Sequence, residues 1–253
     1  MDYLNEYLLK VLPISILELF AAIAGSYFLY KQPSTPIANR YLVYFLWLTF
    51  IVEMLGKYTS IAYFSEYRYF GFIENTVFER NLWLYNIYLL VSYSFFTFYF
   101  NTFLKNKLTY LIIAYLLFSI INLFFSDIYF NGYSVFTIIT GSFLILFSVI
   151  LFYFNLLQNN RIISLIKHLP IYISIGVLFF NLCMAPIQIF SQYFDSENDM
   201  YIKLSTLILL IANIFMYSIF IIGFVMSLLG FFALYLYVKK SGFREFLNKL
   251  RGK

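Results

Sequence analysis

Apolar residues fall into seven long runs, near 11–30, 41–60, 82–101, 108–126, 133–157, 170–193 and 204–238. A bilayer-crossing helix needs about 20 mainly apolar residues. The breaks carry turn or charge signals, among them Lys31-Gln-Pro33-Ser-Thr-Pro36, Arg80-Asn81, Asn101 to Lys107, Gln158 to Arg161 and Asp195 to Asp199. Backbone in lipid must bond within its own segment, and continuous runs do not alternate as barrel strands do. The pattern therefore predicts an all-α polytopic bundle: seven transmembrane helices over 1–240 and a short tail over 241–253. The last run holds 35 residues, roughly 53 Å of helix at 1.5 Å per residue. It reads either as one helix that bends near Gly223 or Gly230 and projects beyond the bilayer, or as two tightly turned spans.

Composition leaves no room for a water-soluble domain, with 62% hydrophobic residues, 11% charged and a mean hydropathy of +0.81. An ordinary soluble domain is about 25% charged. The 33 Phe and 25 Tyr suit lipid and the headgroup belts. Charge sets the orientation. With the N-terminus outside, the inner side carries 12 basic residues against one acid, Glu245, and the outer side 5 against 9. Seven spans keep the basic tail inside, whereas eight would export it. The expected location is a bacterial inner membrane, and the net charge of +5 reflects topology. No basic run with interleaved aromatics suggests nucleic acid. Residues 1–12 lack a basic n-region, so the first span is expected to be a retained signal anchor.

In the tail, Phe243, Phe246, Leu247 and Leu250 share one helical face, with Arg244, Lys249 and Arg251 between them. Such a helix suits an anionic inner leaflet, and residues 239–253 are a candidate surface for a cytoplasmic or membrane protein partner. The outer connection, Ile61 to Arg80, alternates aromatics with charges and is expected to form a lid with a short helix.

Acids within spans are costly and mark candidate sites. Glu18 and Glu53 lie about seven residues from the outer ends of antiparallel neighbours, both about 10 Å deep at 1.5 Å per residue. Polar groups recur on helical stripes: Ser15, Glu18, Ala22 and Gly25; Thr49, Glu53, Lys57 and Ser60; Asn86, Tyr93 and Thr97; Asn181, Gln188 and Gln192; Thr206, Asn213 and Tyr217. Converging, they would line an outward polar pocket for a small or lipidic ligand. The candidates are Glu18, Glu53, Lys57, Asn86, Asn181, Gln188, Asn213 and Tyr217. The competing reading is a structural network: Glu53 and Lys57 stand four apart in the favourable order for an intrahelical pair, and Asn or Gln between spans acts as glue. Glu18 has no basic residue within four positions, so it is expected either protonated or paired with Lys57 across the interface. Pro186 is the hinge candidate. Ala21 with Gly25, and Thr137 with Gly141, have the spacing of close helix packing.

The remaining chemistry is sparse. One histidine, His168, and one cysteine, Cys183, leave no basis for a multi-histidine metal site or an internal disulfide. Ser142 lacks a base, and no Asp lies within a span. No metal, cofactor or catalytic residue is expected. Seven spans with the N-terminus outside resemble the topology of microbial rhodopsins and G-protein-coupled receptors. However, 204–238 lacks the retinal lysine, and Asn213-Ile-Phe-Met-Tyr217 replaces the receptors' Asn-Pro-x-x-Tyr. Pro186 and Gln188 are separated by Ile187, unlike the Pro-Gln pairs of seven-span sugar transporters. Trp83-Leu-Tyr-Asn86-Ile-Tyr88 and Asn213-Ile-Phe-Met-Tyr-Ser218 resemble uncharacterised seven-span membrane proteins of AT-rich bacteria. The leading expectation is a sensory or signalling membrane domain. Alternatives are a proton-coupled transporter or channel subunit using Glu18 and Glu53, or a structural subunit of a complex.

Overall fold

The computed structural model describes residues 2–125, 128–158, 168–190 and 199–251, with side chains over 12–125, 128–158, 168–189 and 200–230. All regular structure among them is helical: α1 (Asp2–Lys31), α2 (Ile37–Gly56), α3 (Tyr58–Phe64), α4 (Leu82–Phe103), α5 (Thr109–Phe125), α6 (Ile128–Asn131), α7 (Val135–Gln158), α8 (Leu169–Phe190) and α9 (Asp199–Arg251), plus a 3-10 turn at Gly71–Ile73. Each of the seven apolar runs is centred on one long helix, although the run 41–60 crosses from α2 into α3 at Lys57 and the run 170–193 extends beyond the described residues of α8. Five stretches are long and apolar enough to cross a membrane: Leu12–Lys31, Ile37–Phe64, Val135–Gln158, Leu169–Ile189 and Met200–Gly230. Tyr, Ser, Thr and Asn along α4 dilute its hydropathy, and α5 has 17 residues. Tyr110, Phe118, Phe124, Phe125, Phe143 and Leu182 all stand exposed on the surface. Apolar exposure on this scale fits lipid better than water, as does a multi-pass membrane protein generally.

The breaks are built from the residues that signalled them. Pro36, at ψ 144°, launches α2, and Asn39 N–H bonds back to Pro36 O at 3.0 Å. Asn101 closes the α4–α5 turn: its Oδ1 accepts from Leu108 N–H at 2.8 Å and its Nδ2 donates to Thr109 Oγ1 at 3.1 Å. At the other end of α2, Asn81 Nδ2 donates to Gly56 O at 2.9 Å, tying the start of α4 to the end of α2.

Six helices form a ring. α1 packs on α2, α2 on α4, α4 on α7, α7 on α8, α8 on α9 and α9 back on α1, while α5 packs outside against α4 and α7. Close approach needs small residues at particular positions. A Cβ on Gly141 would lie 2.5 Å from the Tyr93 ring, and one on Gly25 would lie 2.8 Å from Val43. Phe28, Tyr99, Phe100, Phe152 and Phe224 are buried in the half of the ring nearer residues 31–36. Their rings pack in pairs, Phe28–Phe224 at 5.5 Å and Phe100–Phe152 at 5.6 Å.

α9 is one unbroken helix of 53 residues, roughly 80 Å at 1.5 Å per residue. A bilayer core is about 30 Å thick. The reading of two turned spans over 204–238 is not what the backbone does. The tail is not a separate helix either, since 241–251 continue α9; the contacts of Phe243, Phe246, Leu247 and Leu250 lie outside the described side chains. α8 likewise runs unbroken through Pro186.

Candidate ligand pocket

In the half of the ring nearer residues 57–81 the helices part around a cavity of about 560 Å³. Its walls come from α1, α2, α4, α7, α8 and α9, with Tyr133 and Asn81 from connections. The spacing along α9 explains its share: Tyr201, Ser205, Leu209, Asn213, Met216 and Phe220 recur every three or four residues and so face one way, with Tyr217 beside Met216 on the same side. On α2, Phe45, Thr49, Val52 and Glu53 form the matching stripe.

Six of the eight candidates line this space: Glu18, Glu53, Asn181, Gln188, Asn213 and Tyr217. Glu18 is buried, with 4% of its surface exposed. Its Oε1 accepts a hydrogen bond from Tyr217 at 3.1 Å, and its Oε2 has no hydrogen-bond partner among the described residues. Glu53 Oε2 accepts from Tyr85 at 3.1 Å. Asn181 and Asn213 donate to backbone carbonyls one turn back, Val177 O at 2.8 Å and Leu209 O at 2.9 Å. Thr49 commits its hydroxyl hydrogen to Phe45 O, so Tyr88 is the donor in the 3.0 Å Thr49–Tyr88 bond.

Two candidates face elsewhere. Lys57 does not line the cavity. α2 ends at Gly56, so Lys57 leaves the stripe, and its Nζ donates across to Ser15 Oγ on α1 at 2.7 Å. Asn86 is turned toward α6 and the turn before α7. Its Nδ2 donates to Tyr129 O at 3.1 Å and Gly132 O at 2.8 Å, while its Oδ1 accepts from Ser134 N–H at 3.1 Å. A buried Asn with three backbone bonds is a structural staple.

The 61–80 connection also differs from a lid. It is knitted to itself and to α4, with Tyr58 donating to Phe78 O at 2.7 Å, Trp83 Nε1 donating to Tyr58 at 3.1 Å and Tyr67 donating to Glu79 at 2.5 Å. Of residues 57–81, Asn81 alone lines the cavity, while Tyr63, Tyr69 and Phe72 are exposed.

Sequence reasoning missed Tyr85, Tyr88, Tyr133, Tyr201, Ser92 and Ser205, all of which line the pocket. The available signal was position: Tyr85, Tyr88 and Ser92 follow the same spacing on α4, and Tyr201 and Ser205 on α9.

The chain matches no family model, no curated protein and no solved structure. The pocket must therefore be read from its own chemistry. It offers two carboxylic acids, amides and phenols at the 57–81 end, and an apolar floor of Leu46, Phe96, Ile145, Val177 and Phe220. Among the described residues no group of three or more His, Cys, Asp or Glu is placed to hold a metal.

Proposed function

We propose that this chain is a seven-span inner-membrane sensor, its N-terminus outside and its basic C-terminal end in the cytoplasm, that binds a small molecule in the α1–α9 cavity. One observation carries the reading. The helix that lines the cavity from Tyr201 to Phe220 continues without a break to Arg251. A ligand that shifts α9 at the cavity shifts its far end too, because a continuous helix transmits displacement along its axis. The basic residues Lys239, Lys240, Arg244, Lys249 and Arg251 on that far stretch suit a cytoplasmic partner or the anionic leaflet. The cavity's size falls in the range of small-molecule sites, roughly 300–1,000 Å³. The buried aromatic layer of Phe28, Phe100, Phe152 and Phe224 beneath it favours a blind pocket over a continuous pore.

Native mass spectrometry of protein gently extracted from its own membrane tests this. The expected result is a retained small molecule that is lost in Glu18→Gln. An empty protein holding a second polypeptide in fixed ratio would replace the sensor by a complex subunit.

A second reading keeps both acids in one cavity as a proton-coupled carrier. It predicts uptake driven by a pH gradient in proteoliposomes and abolished by Glu53→Gln. Uptake indifferent to that substitution removes it.

A further inference from the structure

We infer that the cavity selects a monovalent organic cation with an apolar body, its ammonium group held between Glu18 and Glu53. This rests on the cavity being a ligand site, as proposed above, and adds what it takes. The cavity is lined by two carboxylic acids and, among the described residues, by no Lys, Arg or His. Lys57, the nearby cation, is held on Ser15 outside the lining. A buried carboxylate oxygen without a donor is costly, and Glu18 Oε2 is such an atom, 4% of the residue being exposed. Tyr217 already serves the other oxygen, and Tyr85 serves Glu53.

For Glu18 as a carboxylate the missing group is a donor, and a positive one also holds the acid in its ionised form. An ammonium brings three N–H donors and a full charge, enough to satisfy Oε2 and still reach the second carboxylate. A neutral alcohol brings one donor and no charge. An anion would meet two like charges. A bare metal ion does not suit the site, because the described residues offer no third His, Cys, Asp or Glu there and about 560 Å³ far exceeds one ion's shell. Beyond the acids, Phe96 and Phe220 continue the cavity as an apolar floor. A single-headed cation with a hydrocarbon or aromatic body matches that division, and the neighbouring rings add cation–π attraction.

The test uses the full-length protein in nanodiscs of zwitterionic lipid and three probes of one chain length: octylammonium, octanol and octanoate. Affinities are read by calorimetry for wild type, Glu18→Gln and Glu53→Gln. The expected result is octylammonium binding at least tenfold tighter than octanol, with octanoate weakest. Each substitution should weaken octylammonium at least tenfold and leave octanol unchanged. If Glu18→Gln fails to fold, Glu53→Gln carries the comparison. Octanol or octanoate binding as tightly as octylammonium, or octylammonium unaffected by Glu53→Gln, overturns the charge selection while leaving the pocket standing. If none of the three binds, the pocket reading falls with it.

Discussion

Tyr217 on α9 donates its hydroxyl to Glu18 on α1 across 3.1 Å, joining residues 199 apart in the chain. This bond sits where the last helix returns to the first and closes the ring. Removing the donor with Tyr217→Phe leaves a buried carboxyl with neither oxygen served. An unsatisfied buried group costs about 1–3 kcal/mol, so Tyr217→Phe is expected to lower stability by that amount. Glu18→Gln keeps an acceptor for Tyr217 and is expected to cost less. Denaturant or thermal unfolding in detergent checks the order; a Tyr217→Phe protein as stable as wild type would contradict it.

Gly56 makes room for the Tyr85–Glu53 contact. A Cβ there would stand 2.6 Å from the Tyr85 hydroxyl oxygen, closer than a carbon can sit. Gly56→Ala is expected to push the phenol off Glu53 and to destabilise by about 1–3 kcal/mol, the usual range for overpacking. Gly71→Ala meets nothing within 4 Å and serves as the control. Equal melting of the two variants would show that Tyr85 is not held against α2.

Asn86 separates structure from site. Asn86→Ala orphans three backbone groups around residues 129–134 and is expected to cost about 3 kcal/mol or more. Because Asn86 does not line the cavity, octylammonium affinity measured well below the melting point should stay unchanged. A selective loss of affinity without loss of stability would put Asn86 in the site.

The 61–80 connection carries a pH signature. Tyr67 lies outside the spans, and its hydroxyl, donating to the Glu79 carboxylate, is pushed up from 10.0 to about 12. The folded state thus holds its proton more tightly than the unfolded chain does. The bond's contribution is whole below pH 10 and is lost as pH rises towards 12. Glu79→Gln should return the ionisation towards 10, read as the phenolate absorbance difference between each protein and its Tyr67→Phe partner. Coincident titrations before and after Glu79→Gln would refute the pairing.

How far the sequence reached depends on the kind of information each residue carried. Run length and break chemistry located every long helix, because lipid forces the backbone to bond internally whatever the side chains are. Antiparallel neighbours at matched depth sufficed to bring Glu18 and Glu53 onto one cavity. No polar stripe was named on the runs over 108–126 and 133–157; α5 lines no part of the cavity and α7 gives only Ile145, while Tyr133 reaches it from the connection before α7. Asn86 misled because a stripe says which residues share a face, not which neighbour that face meets. Lys57 misled because helical spacing was assumed past Gly56, where α2 stops. The pocket tyrosines were hidden among 25 of their kind, since an aromatic with a polar tip serves a lipid belt and a binding site equally well.

The central claim is that a solute from outside can reach the acids in the ring. It is tested most directly by placing a cysteine at Asn213, on the cavity wall, in a Cys183→Ser background. A membrane-impermeant cationic thiosulfonate is then applied to one face of the membrane at a time. Asn213→Cys should be modified from the outer face and slowed by octylammonium. Ser148→Cys, buried at 0% exposure and off the cavity, should stay unreactive. An Asn213→Cys protein that is inert from outside, or labelled only from the cytoplasm, would contradict the account.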